Sequence, residues 1–237
     1  MNVVHFESID STNLYLKNNY DKLSDLTFVS TNYQSNGSGR TKRNWYSEKN
    51  KNLLFSLLIK DRDLIDRFNT LSILSAYTIV EVLKEYGINN LSIKWPNDVY
   101  VKDDKICGIL LESISKENIE CLIIGVGLNV NQDNFIEDYL TTPTSIKKIL
   151  SKEISVDEIK NKVYEKLLDN LIKLKHDYDF YSEITSYDYL KNKEVYALIN
   201  SKKVKVKVEG INKDYSLRVN NDGKTLNINS GEISFHI

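Results

Sequence analysis

Residues 91–130 read LSIKWPNDVYVKDDKICGILLESISKENIECLIIGVGLNV, and this stretch decides the fold class. Apolar and β-branched residues occur in short runs, a pattern that is typical of buried strands. Asp103 and Asp104 form a predicted hairpin tip between two of these runs. The predicted strands cover residues 91–94, 99–101, 105–112 and 121–130. Strands that follow one another without long helices between them disfavour a sheet built from alternating βαβ units.

The segments on either side of this stretch mix strands with helices. Asp10 and Ser11 are good caps for a first helix, and Gly87 is placed to end a second. Ser155 and Glu158 form a predicted capping box at the start of a third. The first predicted helix ends near residue 19, the second spans residues 64–86 and the third begins at residue 155. The predicted strands cover residues 3–6, 26–31 and 53–59.

From about residue 191 the pattern changes to short strands alone. Gly210 and Gly223 are among the turn signals that separate them, and five short strands at this spacing are typical of a small barrel. The predicted strands cover 195–199, 203–209, 216–219, 226–228 and 233–237. We therefore predict an α+β chain with two domains, residues 1–190 and residues 191–237.

Composition limits the possible classes of function. The 32 Lys and Arg residues balance 33 Asp and Glu among 237 residues, so overall charge would not hold nucleic acid. The longest apolar run, residues 53–59, is too short to cross a bilayer, and no signal segment opens the sequence. We expect a cytoplasmic protein. Cys107 and Cys121 form no CxxC pair, which predicts buried thiols rather than a disulfide or zinc site.

The first candidate site is a basic loop that contains two glycines. Gly37 and Gly39 allow backbone N–H groups to approach an anion. Arg40 and Arg43 carry fork-shaped donors that suit phosphate, and Trp45 can cover a flat ring. The glycine spacing matches neither a Walker A loop nor a Rossmann turn. A solvated surface loop is the alternative interpretation of the same pattern.

The second candidate is the cluster KWPND at residues 94–98, which is followed by Lys105 in an apolar strand. A lysine in such a strand needs an anionic partner, because burial of an unpaired ammonium group is costly. That partner is either a bound ligand or, in the structural alternative, a carboxylate of the protein. Asp98 is either a magnesium ligand or a cap and turn residue.

Together these segments resemble the biotin protein ligase family. The matching motifs are STN at 11–13, Gln34 with GSGRTKRNW at 37–45, KWPND at 94–98, Lys105 with GIL at 108–110, GVGLN at 125–129 and GEIS at 231–234. Their order and spacing agree with the family over nearly the whole chain, and KWPND followed by K-x-x-G-I-L is highly specific. Some members carry an N-terminal winged-helix DNA-binding domain, and we expect the form without it.

The resemblance implies a two-step reaction without a covalent enzyme intermediate. Biotin's carboxylate attacks the α-phosphate of ATP, which gives biotinyl-5'-AMP and pyrophosphate. A lysine amine of a biotin carboxyl carrier protein then attacks this adenylate and releases AMP. The resemblance also implies Mg²⁺ as cofactor, a class II synthetase-like mixed sheet with flanking helices, and a small SH3-like C-terminal barrel.

The same resemblance assigns roles to individual residues. Lys105 and Arg40 are the expected catalytic residues, and Asp98 is the candidate metal ligand. The expected biotin-binding residues are Ser11, Thr12, Asn13, Gln34, Gly37, Gly39, Arg40, Lys105, Gly108, Leu110 and Gly127. The expected nucleotide-binding residues are Arg40, Arg43, Trp45, Lys94, Asn97 and Asn129.

Two other functions stay open at the level of sequence. A lipoate or octanoate protein ligase shares the fold and the acyl-lysine product, although KWPND points to biotin. A nucleic-acid-binding module would use Lys203, Lys205 and Lys207, which alternate with valines and so share one strand face. Near-neutral charge favours a solvated outer face instead, and we expect neither DNA nor a membrane as partner. The oligomeric state is open between a monomer and a homodimer.

One departure from the family motif generates a prediction. The family loop usually reads GRGRxGRxW, whereas this loop has Ser38 at the first arginine and Lys42 at the later glycine. Because that arginine helps to hold the loop closed in the family, we predict faster escape of biotinyl-AMP. The measurement is adenylate release in the absence of carrier. Retention as tight as that of an arginine-bearing relative would contradict the prediction.

Overall fold

A mixed seven-stranded sheet organises the larger part of the chain. The computed structural model describes residues 2–40, 43–135, 141–199, 202–229 and 233–234. The strands are β1 (Val3–Phe6), β2 (Phe28–Thr31), β3 (Leu53–Ile59), β4 (Leu91–Lys94), β5 (Asp98–Val101), β6 (Asp104–Ser115) and β7 (Ile119–Leu128). They lie in the order β1-β2-β3-β7-β6-β5-β4. Strands β1 and β2 pair in parallel, and the other neighbours pair antiparallel.

Helices cover both faces of this sheet. The helices are α1 (Thr12–Asn19), α2 (Arg62–Ile65), α3 (Phe68–Glu85), α4 (Ile146–Leu150), α5 (Val156–Lys175) and α6 (Tyr181–Thr185). Leu57 packs in the large core that includes residues of α3 and α5, whereas its neighbour Leu58 packs with Leu16 of α1 in a smaller core. Successive residues of a strand point to opposite faces, which explains why every residue of β3 is buried.

The long helix predicted at residues 64–86 is in fact two helices. Asp61 accepts a hydrogen bond from the Leu64 backbone N–H at 3.2 Å and so starts a short helix before the predicted position. Arg67 has φ −105° and ψ 24°, which interrupts the helical backbone before α3 begins. Gly87 ends α3 as predicted, and its φ of +78° explains why glycine is favoured there.

The capping box predicted at the third long helix is only half formed. The Ser155 hydroxyl accepts a hydrogen bond from the Glu158 backbone N–H at 3.2 Å, so the N-cap is confirmed. The Glu158 carboxylate instead accepts from the Tyr86 hydroxyl at 3.1 Å, which ties α5 to the end of α3. The short helices α4 and α6 were not predicted.

A second, antiparallel sheet follows along the chain. Its strands are β8 (Glu194–Ile199), β9 (Lys202–Ile211), β10 (Leu217–Asn221), β11 (Lys224–Ile228) and β12 (Ile233–Ser234), in the order β11-β10-β9-β8-β12. The predicted turn at Gly210 is wrong, because this residue lies inside β9 with φ +141°, beside a shift of register. Residues 235–237 of the last predicted strand lie outside the described residues.

The predicted fold class is confirmed: an α+β chain with a mixed sheet, flanking helices and a small C-terminal β-sheet. The division between residues 190 and 191 stays a prediction. Lys203, Lys205 and Lys207 are exposed on β9, and Val206 and Val208 are buried, as expected for an outer face over a core. In the described part of the chain, no helix is long and apolar enough to cross a membrane.

The packing of β3 generates a stability prediction. Leu57 is fully buried, so the substitution Leu57→Ala should lower the free energy of unfolding by about 2–5 kcal/mol through lost burial and a residual cavity. Leu198, which is 46% exposed, is the matched control. The substitution Leu198→Ala should change the free energy of unfolding by less than about 0.5 kcal/mol. Urea titration followed by circular dichroism measures both. Equal effects of the two substitutions would contradict this assignment of the core.

Candidate active site

Nearly all of the predicted site residues lie around one cavity of about 840 Å³. The cavity opens over β6 and β7, beside the start of α1. Its predicted lining residues are Ser11, Thr12, Asn13, Gln34, Gly39, Arg40, Arg43, Trp45, Lys94, Asn97, Asp98, Lys105, Gly108, Leu110, Gly127 and Asn129. The sequence motifs that carry them are separated by up to about half of the chain, so it is the fold that brings them together.

Gly37 is the exception among the predicted lining residues. A Cβ atom on Gly37 would lie 2.7 Å from the backbone oxygen of Trp45, and the Trp45 N–H donates to the Gly37 oxygen at 2.8 Å. Its small size therefore lets the two sides of the loop approach, instead of lining the main cavity. The loop is closed further by a hydrogen bond from Gly39 N–H to Arg43 O at 2.7 Å. Lys42 lies outside the described residues.

One end of the cavity is uncharged and rich in hydrogen-bonding groups. Ser11 is the N-cap of α1, and its hydroxyl accepts from the Leu14 N–H at 3.4 Å. The next residue, Thr12, donates its backbone N–H to Gln34 Oε1 at 2.8 Å. This end of the cavity can recognise a small polar ring through neutral hydrogen bonds.

The middle of the cavity has a floor of glycines covered by an indole ring. Cβ atoms on Gly108 and Gly127 would lie 2.8 Å and 2.4 Å from atoms of the Trp45 ring. No side chain could be accommodated there unless Trp45 moved. Trp45 Nε1 is buried and has no hydrogen-bond partner among the described residues. The indole therefore lies directly on the backbone of β6 and β7.

The other end of the cavity is cationic and is organised around Lys105. Lys105 Nζ lies 2.8 Å from Asp98 Oδ1 and 5.5 Å from the centre of the Trp45 ring. The anionic partner that the sequence required is thus supplied by the protein. An ammonium group has three N–H donors, so the contact with Asp98 leaves donors for a ligand. The Lys105 backbone is held by Thr142 O at 2.8 Å and Thr144 N at 2.9 Å.

The KWPND segment forms a tight turn that is fastened to its surroundings. Asn97 donates to Ile109 O at 2.8 Å and accepts from Arg40 Nη1 at 3.0 Å, so the turn connects β6 with the basic loop. Trp95 Nε1 donates to Tyr215 O at 2.9 Å, which anchors the turn to the connection between β9 and β10. The Trp95–Pro96 peptide bond is cis.

The structure does not show a resident magnesium site at Asp98. Its Oδ1 atom is already contacted by Lys105 Nζ at 2.8 Å and by Asn97 Nδ2 at 3.1 Å. No group of three or more His, Cys, Asp and Glu side chains suited to a metal ion occurs in the described ranges. The residues present therefore do not fit a magnesium ion held by the protein alone, and the predicted role of Asp98 stays a prediction.

Several lining residues lie outside the motifs that predicted the site. Tyr100 and Tyr189 stack with ring centroids 4.9 Å apart, and burial raises the pKa of Tyr100. Lys203 and Ile233 reach the cavity from the second sheet. The sequence predicts Lys203 on a solvated outer face or, in the alternative, on a nucleic-acid-binding face, and not at this cavity. No local pattern distinguishes such residues, since their position depends on how the two sheets pack.

Neither cysteine offers a nucleophile to this cavity. Cys107 and Cys121 are buried, as predicted, and both are free thiols. Burial raises the pKa of each thiol, so both stay protonated at neutral pH. The arrangement can therefore orient and neutralise bound anions, whereas covalent catalysis by a thiolate is disfavoured.

Parts of this chain are similar in sequence to a known family and to curated proteins. The family model described as "Biotin/lipoate A/B protein ligase family" matches residues 5–129, more than half of the chain. The bifunctional ligase/repressor BirA of Salmonella typhimurium is 33% identical over 140 residues, which cover 59% of this chain and 44% of that protein. The human biotin–protein ligase is 31% identical over 150 residues, which cover 59% of this chain and 20% of that protein. The chain thus spans less than half the length of these curated relatives.

A solved structure matches over nearly the full length of both chains. The biotin protein ligase of Aquifex aeolicus, solved in complex with biotin and ATP, superposes with a TM-score of 0.84 at 30% identity and covers 98% of this chain and 97% of that chain. The resemblance recognised in the motifs is therefore confirmed. Since the family model covers most of the region that builds the cavity, the chain belongs to the biotin/lipoate A/B protein ligase family.

Proposed function

We propose that this protein is an ATP-dependent ligase that activates biotin as biotinyl-5'-AMP and transfers it to a lysine of a biotin carboxyl carrier protein. The observation that carries the proposal is the division of one cavity into a neutral hydrogen-bonding end and a cationic end. Biotin has the same division, with an uncharged ureido ring at one end and a carboxylate at the other. The similarity to a ligase solved with biotin and ATP supports the proposal.

In this proposal the ureido ring lies at the start of α1. Ser11, Thr12 and Gln34 supply hydrogen-bonding groups to the ring, and the fused rings and valeryl chain are proposed to lie beside the Trp45 indole, which covers the glycine floor of Gly108 and Gly127. Asn13, Gly39 and Leu110 complete this part of the predicted lining. Gly37 is left out of the proposed biotin contacts, because its small size serves the loop itself.

The cationic end brings the two anionic reactants together. Lys105 donates to the biotin carboxylate and to the α-phosphate, so negative charge that develops during attack is stabilised. Arg40, which is held by Asn97, adds a second cation beside the phosphates. The carboxylate oxygen forms a bond to phosphorus, and the bond to the leaving pyrophosphate breaks. The enzyme supplies orientation and charge rather than a nucleophile.

The nucleotide is proposed to lie between the basic loop and the KWPND turn. Trp45 offers a flat surface for adenine. Asn129 donates its side-chain N–H to Thr144 O at 2.9 Å, and its buried Oδ1 has no partner among the described residues, so it can accept from the nucleotide. Arg43, Lys94 and Asn97 are the other proposed nucleotide contacts. Magnesium would arrive with the ATP phosphates.

The second half-reaction transfers biotin directly from the adenylate. The acceptor amine attacks the carbonyl carbon of the mixed anhydride, and AMP leaves as the bond from that carbon to the phosphate oxygen breaks. Both cysteine thiols are buried and protonated, which supports direct transfer without an acyl-enzyme. We further propose residues 1–190 as the catalytic domain and residues 191–237 as the barrel domain, in a cytoplasmic enzyme without a DNA partner.

A lipoate or octanoate ligase is the second candidate, since the matching family model includes both kinds of enzyme. It is not favoured, because several relatives with similar sequences are named biotin–protein ligases. A dithiolane or alkyl chain also has no N–H group to donate to the oxygens of Thr12 and Gln34 at the neutral end of the cavity.

Removal of Lys105 tests the cationic end of the cavity. The substitution Lys105→Met keeps much of the side-chain length and removes the charge, so the rate of adenylate formation should fall at least tenfold, about 1.4 kcal/mol in the barrier. Lys116→Met is the matched control, because Lys116 is 71% exposed and pairs with Glu120 away from the cavity. Single-turnover formation of adenylate measures both. Unchanged turnover of the Lys105 variant would contradict the mechanism.

The substrate itself is tested by exchange of labelled pyrophosphate into ATP. We expect exchange that depends on biotin, because formation of the adenylate is reversible, and much weaker exchange with lipoate or octanoate. Transfer is then measured on an isolated biotin carboxyl carrier domain and on the same domain with its acceptor lysine replaced by arginine. Exchange driven by octanoate or lipoate but not by biotin would replace the proposed function by the second candidate.

A further inference from the structure

A chain of hydrogen bonds runs from the polar end of the cavity to the outer surface of the sheet. Its members are Gln34, Thr12, Ser56, Asn13, Glu112 and Lys17. Ser56 lies on β3 and Glu112 on β6, and neither lines the cavity. The three central residues are buried, whereas Glu112 and Lys17 reach the surface with side chains 27% and 35% exposed.

Glu112 fixes the direction of this chain of hydrogen bonds. An ionised carboxylate only accepts hydrogen bonds, and Glu112 already receives the Lys17 ammonium group at 2.6 Å. Asn13 therefore turns its Nδ2 donor towards Glu112, at 2.7 Å. This leaves Asn13 Oδ1 as an acceptor, and the hydroxyl of Ser56 donates to it.

Ser56 and Thr12 each have a single hydroxyl proton, and this fixes which atom donates in each hydrogen bond between Asn13 and the cavity. Ser56 has one hydroxyl proton, which it gives to Asn13, so its 2.6 Å contact with Thr12 Oγ1 requires the proton of Thr12. The 3.0 Å geometry from Thr12 Oγ1 to Gln34 Oε1 would suit a hydrogen bond, but the single hydroxyl proton of Thr12 is assigned to the shorter contact with Ser56, so none is left for Gln34. The amide of Gln34 cannot turn round, because its Oε1 accepts the backbone N–H of Thr12 at 2.8 Å.

Two acceptor oxygens consequently face each other at the cavity with no proton between them. Such a pair is repulsive when it is empty and is stabilised by a ligand N–H that donates to it. A cyclic urea has N–H groups of this kind, whereas a dithiolane ring and an alkyl chain have none. Recognition therefore depends on the direction of the chain of hydrogen bonds as well as on the groups that touch the ligand.

We propose that Glu112 is a positioning residue that makes this site selective for ligands carrying an N–H donor, although it does not touch the ligand. Ser56 transmits its effect to Thr12. This inference rests on the proposed function, because it explains how that site distinguishes biotin from lipoate or octanoate. It adds two residues on the sheet that no motif at the cavity indicated.

The substitution Glu112→Gln tests the proposal without changing the size of the side chain. The amide oxygen of the introduced glutamine keeps the contact with Lys17. Its amide nitrogen therefore faces Asn13 and donates a hydrogen bond to it. The Asn13 amide turns round so that its oxygen accepts this bond. Asn13 then donates to Ser56, Ser56 to Thr12 and Thr12 to Gln34, and the acceptor pair is lost. We expect the Kd for biotin to rise at least tenfold by calorimetry, about 1.4 kcal/mol, with the KM for ATP within about twofold.

The double substitution Glu112→Gln with Asn13→Asp is the rescue variant. A carboxylate at position 13 accepts from the introduced glutamine and from Ser56, which restores the original direction. Biotin affinity should recover at least threefold relative to Glu112→Gln alone, a result that a purely structural role of Glu112 would not give. Glu120→Gln is the matched control, since Glu120 accepts from Tyr20 and pairs with Lys116 outside this chain of hydrogen bonds, and its Kd should match wild type within about twofold.

The possible failures are distinguishable. A wild-type protein that binds no biotin overturns the proposed function, and the inference with it. Tight binding by wild type together with unchanged binding by Glu112→Gln overturns this inference alone, as does a failure of the rescue variant. If circular dichroism shows that Glu112→Gln is unfolded, Ser56→Ala carries the test. It turns the Thr12 proton to Gln34, so biotin affinity should fall at least threefold, and unchanged affinity contradicts the proposal.

Discussion

The ion pair of Lys105 with Asp98 is the interaction on which the candidate site depends. A charged ammonium group in an apolar strand has to be paired, and Asp98 on the neighbouring strand provides the partner at 2.8 Å. Asp98 is in turn held by Asn97, which also contacts Arg40. One electrostatic requirement therefore fixes the position of both cations relative to the sheet, and no substrate is needed to arrange them.

The close approach of Trp45 to the sheet is the second constraint. Glycines on β6 and β7 let the indole lie against the backbone, and any side chain at Gly127 would occupy the same space. The indole thereby separates a neutral end of the cavity from a cationic end. In the proposed function this separation matters, because the ring and the carboxylate of biotin need opposite surroundings. The glycine backbone that positions Trp45 and the charges of the cationic end thus both lie in the same part of the cavity.

Local patterns in the sequence predicted much of the fold, whereas long-range packing was not predictable. Leu53–Ile59 was predicted with the limits that the structure shows, because a continuous apolar run requires burial on both faces. The break before Phe68 was missed, since apolar spacing continues across it. Lys203 was predicted on an outer strand face away from the site, yet it also reaches the cavity from the second sheet. Gly37 was assigned to the cavity because a motif does not reveal which way a loop folds.

Nearly all the residues that the motifs predicted lie at the cavity, but the motifs did not indicate the residues that orient them. Ser56 is hidden in an apolar run, and Glu112 stands at the end of another, so neither carried a signal in the sequence. Their contribution depends on the balance of hydrogen-bond donors and acceptors across three elements that are distant in sequence. Selectivity in this site is thus inferred to depend on the sheet beneath it as well as on the loop above it.

The most direct test of the central claim is a crystal structure of the protein with biotin and a non-hydrolysable ATP analogue. We predict that Lys105 Nζ lies within hydrogen-bonding distance of both the biotin carboxylate and the α-phosphate, with the ureido ring at Thr12 and Gln34. A structure in which Lys105 contacts Asp98 alone, while both ligands bind elsewhere in the cavity, would contradict it.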